Sequence, residues 1–271
     1  MALLELRDLT KTFLMKASVW GRRPSAELRA VDGVSLSLER GEIVGLVGES
    51  GCGKTTLSRL IMQLLEPTSG QVVLEGEPLA GLSPEELRRR RIDFQMVFQD
   101  PYASLNPRMT VFSMLEEAVR QRHPGWGRAQ LEARVGELLD RVGLARRFAR
   151  RYPHEFSGGQ RQRVAIARAL APEPKLVIAD EPVSALDVSI QSQILNLLQE
   201  LRRELSLTML FISHDLGVVR YMADRMVVMR RGQIVESGDA EQVFRHPSHP
   251  YTAELLAAIP QIPRGGKPLH A

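Results

Sequence analysis

The chain has 271 residues, 36 of them Lys or Arg against 32 Asp or Glu, for a formal charge of +4. That length allows one large domain, or one domain with an insert, and buries about three quarters of the unfolded surface, so no covalent staple is required. A single cysteine, Cys52, excludes an internal disulfide, no apolar run approaches the roughly 20 residues of a membrane span, and the opening MALLELRDLT lacks the pattern of a secretion signal.

Leu4–Arg7 and Val34–Leu38 alternate apolar and polar residues, which predicts half-buried strands of an antiparallel edge layer. Between them, Lys16 to Arg29 is polar and irregular and reads as a hairpin loop. Ile43–Val47 is a short continuous apolar run, as are Leu176–Ala179 and Met209–Ile212; fully buried parallel strands have this pattern. A helix is predicted from Thr55 to Leu65, ending before Pro67. Ser83-Pro84-Glu85-Glu86 is a capping box with proline at the first helical position, and the basic Arg88–Arg91 that follow complement the helix dipole. Asp93–Phe98 alternates as a strand. Leu131, Val135, Leu138, Leu139 and Val142 keep helical spacing, with Gly143 where a C-terminal cap belongs. Ile190, Ile194, Leu197, Leu198, Leu201 and Leu205 keep it more strongly. The order predicts an α/β nucleotide-binding core with an antiparallel β edge layer and an α-helical insert, then a tail rich in Pro and His after about residue 240.

Gly48-Glu49-Ser50-Gly51-Cys52-Gly53-Lys54-Thr55 follows the strand Ile43–Val47 and opens a helix, which is the context of a phosphate-binding loop. Glycines let the backbone wrap an anion with N–H groups inward, and the helix start adds roughly half a positive charge. Lys54 adds a full one, worth about 4 kcal/mol at 4 Å and an effective dielectric near 20. The Thr55 hydroxyl is placed for Mg²⁺, and Thr56 follows it in the turn. Only the backbone of Cys52 is expected to matter.

Leu176–Ala179 ends in Asp180-Glu181. Adjacent carboxylates repel unless a cation or reacting group meets them. On their own they read as a solvated strand end. With the phosphate loop, Asp180 is expected to complete a Mg²⁺ shell and Glu181 to orient or activate water.

Phe156-Ser157-Gly158-Gly159-Gln160 resembles the L-S-G-G-Q signature of ATP-binding cassette (ABC) proteins, with phenylalanine for leucine. Other motifs of that family stand in its order along nearly the whole chain. Gln99 resembles the glutamine that senses Mg²⁺ and links to a membrane partner. Ser184-Ala185-Leu186-Asp187 resembles the loop that contacts a partner cassette, His214 the switch histidine at the γ-phosphate, and Phe13 the aromatic that stacks on adenine, with Trp20 nearby as a competitor. The resemblance implies a P-loop NTPase core of ABC type. It places an ATPase domain at 1–240, with its core at about 1–100 and 165–240 and its helical insert at about 101–164, and a C-terminal extension at 241–271. It also implies ATP and Mg²⁺ as ligands, and hydrolysis between one cassette's phosphate loop and another's signature. No active-site position departs from a hydrolysing pattern.

Val31-Asp32-Gly33-Val34-Ser35, Gln99–Arg108 and His249-Pro250-Tyr251-Thr252 are together similar to ATPase subunits of bacterial dipeptide, oligopeptide and nickel importers. That similarity implies peripheral attachment to the cytoplasmic face of the bacterial inner membrane and import of peptides, with nickel or another small solute as the alternative. The implied partners are a second ATPase, identical or paralogous, two transmembrane permease subunits and an extracytoplasmic solute-binding protein. Tyr102, Leu105 and Met109 are expected to offer the permease an apolar face, with some of them in the core of the helical insert instead. Some members carry a C-terminal cysteine cluster for iron–sulfur; this chain has no cysteine there, so none is expected. His246 and His249 lack a third metal ligand; the remaining alternative, a soluble cassette ATPase acting on nucleic acid, is disfavoured by a single cassette without long coiled-coil arms and by the lack of a basic stripe interleaved with aromatics.

Overall fold

The computed structural model describes residues 2–14 and 27–258, less the side chains of Pro101 and Ala103. Its strands are β1 (Ala2–Leu14), β2 (Glu27–Glu39), β3 (Ile43–Val47), β4 (Ser69–Leu74), β5 (Glu77–Pro78), β6 (Phe94–Val97), β7 (Leu176–Asp180), β8 (Thr208–Ile212), β9 (Arg225–Arg230) and β10 (Gln233–Asp239). Its helices are α1 (Lys54–Ile61), α2 (Pro84–Arg90), α3 (Pro101–Ser104), α4 (Val111–Arg122), α5 (Arg128–Arg141), α6 (Gly158–Leu170), α7 (Val188–Leu205), α8 (Leu216–Met222), α9 (Ala240–Arg245) and α10 (Pro250–Ala257).

The alternating segments Leu4–Arg7 and Val34–Leu38 lie in β1 and β2 of an antiparallel sheet in the order β2-β1-β4-β5. The continuous apolar runs β3, β7 and β8 lie at the centre of a second sheet, β10-β9-β3-β8-β7-β6, which also takes in the alternating segment β6 and is parallel except for the antiparallel edge strand β10. Every residue of β3, β7 and β8 is buried, because both faces of this sheet are covered. Successive residues point to opposite faces and join different cores. Ile43, Val177, Met209 and Phe211 pack with α4–α8, while Val44, Leu46, Ile178 and Leu210 pack with α1 and the antiparallel sheet.

Local chemistry sets the helix ends. Ser83 and Glu86 close the capping box of α2, and Gly143, with φ 67°, follows the last turn of α5. Helix α7 covers the whole run from Ile190 to Leu205. Helix α1 is shorter than the sequence predicts. It stops at Ile61, and Gln63 takes φ 53°, because Met62 and Leu65 pack as a turn against the second core instead of extending the helical stripe. The loop expected over Lys16–Arg29 gives up Glu27–Arg29 to β2; the remainder, with Trp20, lies outside the described residues.

The face expected from Tyr102, Leu105 and Met109 does not exist as one surface. Leu105 is 3% exposed and Met109 packs against the core, which a polar flank cannot reveal. Tyr102 alone projects, its ring 3.8 Å from the Arg161 guanidinium. No helix among the described residues is long and apolar enough to cross a membrane.

Candidate functional site

Parallel strands put all their C-terminal ends on one sheet edge, where ligands of open α/β sheets bind. Neighbouring strands β3, β8, β7 and β6 therefore deliver the Gly48–Thr55 turn, His214, Asp180-Glu181 and Gln99 side by side. A cleft of about 570 Å³ lies there, lined by Ser50, Gly51, Gly53, Lys54, Thr55, Thr56, Gln99, Glu181 and His214, and walled by Phe13, Leu28 and Ala30.

The turn needs its glycines at two points. Gly48 sits at φ 154°, where a side chain would collide with the Met229 carbonyl; Gly53, at φ 113°, would collide with that of Ala30. Gly53 also caps α1 without any side-chain bond, which leaves that helix start open. Lys54 is 5% exposed, and its Nζ donates to the carbonyls of Gly48 (2.6 Å) and Glu49 (2.9 Å), so the ammonium is held by the turn itself. Gly48, Glu49 and Cys52 complete the turn without lining the cleft. The Cys52 thiol packs inward, 7% exposed; burial raises its pKa, against the opposing charge of Lys54.

At the strand ends, Glu181 stands at φ 48°, an uncommon conformation for a non-glycine residue, secured by its N–H bond to the Ile212 carbonyl at 2.9 Å. Its Oε2 meets Gln99 Nε2 at 3.3 Å and His214 Nδ1 at 3.2 Å. The three predicted residues from β6, β7 and β8 thus share one carboxylate oxygen. His214 remains largely exposed, its side chain 60% accessible.

Asp180 lies just beneath, 5% exposed, with the Ser58 hydroxyl donating to its Oδ2 at 3.2 Å. Burial raises its pKa; the Ser58 bond opposes this, and the charge of Glu181 adds to it. A buried carboxylate, the Thr55 hydroxyl at the cleft wall and the Gln99 amide make an all-oxygen donor set, which fits Mg²⁺. Among the described residues, no three His, Cys, Asp or Glu side chains gather as metal ligands elsewhere; His249 Nδ1 instead accepts the Tyr251 N–H at 3.1 Å.

The signature residues lie apart from this cleft. Ser157 caps α6 in a closed capping box with Gln160. Phe156 is 4% exposed and meets Phe148 edge-on at 5.7 Å, which accounts for an aromatic in the leucine position. Beside it runs the 184–187 loop: Gly158 and Gly159 abut Leu186 and Ile190, and Ser184 Oγ donates to the Glu181 carbonyl at 3.1 Å. Ala185 is exposed, and Asp187 begins α7.

Leu28 and Ala30 were not legible as cleft residues. Only the pairing of Phe13 with Leu28 across β1 and β2 brings them there. Tyr251, from α10, also reaches the turn, its hydroxyl accepting the Glu49 N–H at 3.1 Å.

A mixed sheet with a phosphate-binding turn, a strand-end carboxylate pair and a separate capped helix start defines the nucleotide-binding cassette class. Residues 31–184 match the ABC transporter family model, and residues 235–271 match the C-terminal region of oligopeptide/dipeptide transporters, so this chain belongs to the ABC transporter family. It is 52% identical to the oligopeptide transport ATP-binding protein OppF of Escherichia coli (strain K12), over 95% of this chain and 78% of that one. It is 51% identical to the oligopeptide transport ATP-binding protein AppF of Bacillus subtilis (strain 168), over 97% and 80%. Among solved structures, it resembles the ATP-binding cassette MJ0796, described as dimeric and bound to ADP and Pi, with TM-score 0.76 and 32% identity over 88% of this chain and 98% of that one. It also resembles cbiO1 of Clostridium perfringens, with TM-score 0.77 and 29% identity over 90% and 91%.

Proposed function

We propose that this chain binds and hydrolyses ATP as one of two cassettes that drive a peptide importer of the bacterial cytoplasmic membrane. The observation that carries the chemistry is the single cleft that joins the open start of α1, Lys54 and the Gln99–Glu181–His214 cluster. The names of the relatives and the match over 235–271 carry the peptide assignment.

In this reading Phe13, with Leu28 and Ala30, takes the adenine, while Lys54 and the N–H groups of Gly51, Gly53, Lys54, Thr55 and Thr56 take the phosphates. Thr55, Gln99 and Asp180 hold Mg²⁺, which when bound neutralises charge building between the β- and γ-phosphates. Glu181 Oε2 is held by Gln99 and His214, and its Oε1 has no partner among the described residues. Glu181 therefore has a free carboxylate oxygen to take a proton from water as the water oxygen bonds to the γ-phosphorus and the bond to the departing ADP breaks. His214 contacts the γ-phosphate.

Residues 156–160 complete the site of a second cassette, identical or paralogous, and residues 184–187 contact it. Residues about 101–164 form the helical insert facing two permease subunits, residues 241–271 form the C-terminal extension, and an extracytoplasmic binding protein delivers the peptide. Nucleic acid has no part. The test is to purify the tagged chain from its native membranes in mild detergent and to reconstitute what accompanies it. A second cassette, two permeases and ATP hydrolysis stimulated by peptide-loaded binding protein are expected. Stimulation by nickel and not by peptide would move the substrate; a wholly soluble set of partners would end the transport reading.

A further inference from the structure

His249-Pro250-Tyr251-Thr252 takes no part in the chemistry above, yet its second half is fully buried, with Tyr251 2% and Thr252 0% exposed. Its placement is deliberate in physical terms. Glu236 of β10 accepts the backbone N–H groups of Ser248 (2.7 Å) and His249 (3.1 Å). His249 then caps α10 by accepting the N–H of Tyr251, and Pro250 occupies the first helical position. These bonds fix where the Tyr251 ring points: it packs into the helical-side core, the Arg230 guanidinium 4.5 Å from its centroid.

The end of that ring meets the phosphate loop. Tyr251 Oη accepts the Glu49 N–H at 3.1 Å, across 202 residues of chain. That N–H belongs to the same peptide group as the Gly48 carbonyl, which accepts Lys54 Nζ at 2.6 Å. One peptide plane is thus gripped from both sides, by the tyrosine hydroxyl and by the lysine ammonium. Gly48 leads into this plane at φ 154°, in a region open to glycine alone, and without a side chain the hinge resists rotation poorly. Tyr251 is the contact on this plane that comes from outside the loop.

We propose that Tyr251 is a positioning residue for the phosphate loop: its hydroxyl orients the Gly48–Glu49 peptide so that the Gly48 carbonyl holds Lys54 in place for the phosphates. The inference rests on reading the cleft as the ATP site. It makes the C-terminal segment a working part of the nucleotide site instead of an appendage, and it ties the order of 235–257 to the grip on nucleotide.

Tyr251→Phe is the clean variant, since it keeps the ring, its burial and the contact with Arg230 and removes only the hydroxyl. Displacement of a fluorescent ATP analogue is measured on the full chain, once with ATP and once with AMP, beside a thermal melt. ATP affinity is expected to fall about three- to tenfold, the scale of one net hydrogen bond. AMP, which does not reach Lys54, should compete as it does with the parent chain. Unchanged ATP affinity overturns the proposal. An equal loss for ATP and AMP, following the melt, overturns it too, since that is the mark of a residue that only holds the fold. Failure of the unsubstituted chain to bind ATP is seen before any substitution is made, and would take down the cassette reading itself and this inference with it.

Discussion

Two glycine-containing turns in this molecule open onto helices, and they end in opposite states. At α1 the cap is Gly53, φ 113°, with no side-chain bond to the first turn, and the nearest full charge is the buried Lys54. At α6 the cap is Ser157, φ −65°, whose hydroxyl accepts the Gln160 N–H at 3.3 Å while Gln160 Oε1 accepts the Ser157 N–H at 3.1 Å. The first start is left unsatisfied and charged, so an anion completes it. The second is largely satisfied by its own side chains and carries no cation of its own on the cap. Only the N–H groups of Gly158 and Gly159 remain without partners among the described residues. In the function proposed above, that difference distinguishes a site that binds alone from a surface that works when another chain brings the phosphates to it.

Removing the charge at the open start should produce the largest effect. Lys54→Ala is expected to lower ATP affinity roughly 10²- to 10³-fold, from a Coulomb term of about 4 kcal/mol at 4 Å and effective dielectric 20. Nucleotide titration checks it, and an unchanged affinity would break the comparison, because the open end of α1 would then not be the phosphate site. Next comes the carboxylate that α1 faces. Glu181→Gln should leave ATP affinity within about twofold and cut turnover about 10²- to 10⁴-fold, the usual contribution of a positioned base. Full turnover in a single-turnover assay would show that another group takes the proton.

Asp180→Asn sharpens the same end by a different route. Its carboxyl has a folded pKa raised above the unfolded value, chiefly by burial. A raised carboxylate pKa means the folded state holds its proton more tightly, so ionising the group costs stability as pH rises through that pKa, and the cost persists at neutral pH. The uncharged Asn should therefore raise the melting temperature of the nucleotide-free chain while abolishing the gain in ATP affinity that Mg²⁺ brings. A lower melting temperature would mean that the Ser58 bond to Oδ2, at 3.2 Å, outweighs burial.

How much of this was legible depends on distance along the chain. The turn at Gly48–Thr55, the buried strands β3, β7 and β8, the capping box of α2 and the stripe of α7 are written in neighbouring residues, and local pattern is enough to find them. The Gln99–Glu181–His214 cluster spans separations of 82 and 33 residues, and spacing alone says nothing of it; it was reached through family motifs, and its geometry comes from strand order. The left-handed backbone of Glu181 has no signal in the local sequence; it accompanies the bond from its N–H to the Ile212 carbonyl, made across the sheet. Leu105 and Met109 join the core of the helical insert, the alternative the sequence leaves open, for the converse reason. Their neighbours are polar, but Leu105 is buried in the core and Met109 packs partly buried against it.

The smallest effect expected in the isolated chain belongs to the closed start. Ser157→Ala deletes the hydroxyl that satisfies the Gln160 N–H and so costs about 1 kcal/mol of stability, the usual worth of an N-cap. Ser157 does not line the chain's own cleft, so nucleotide titration of the lone chain should be unchanged. In the assembled pair the same variant should slow hydrolysis, because the hydroxyl and the open N–H groups of α6 then face the partner's phosphates. A split of that kind, silent alone and visible only when paired, follows from the difference between the two helix starts. Weakened ATP binding by the lone Ser157→Ala chain would mean that α6 serves its own cleft, and the two turns would be one site.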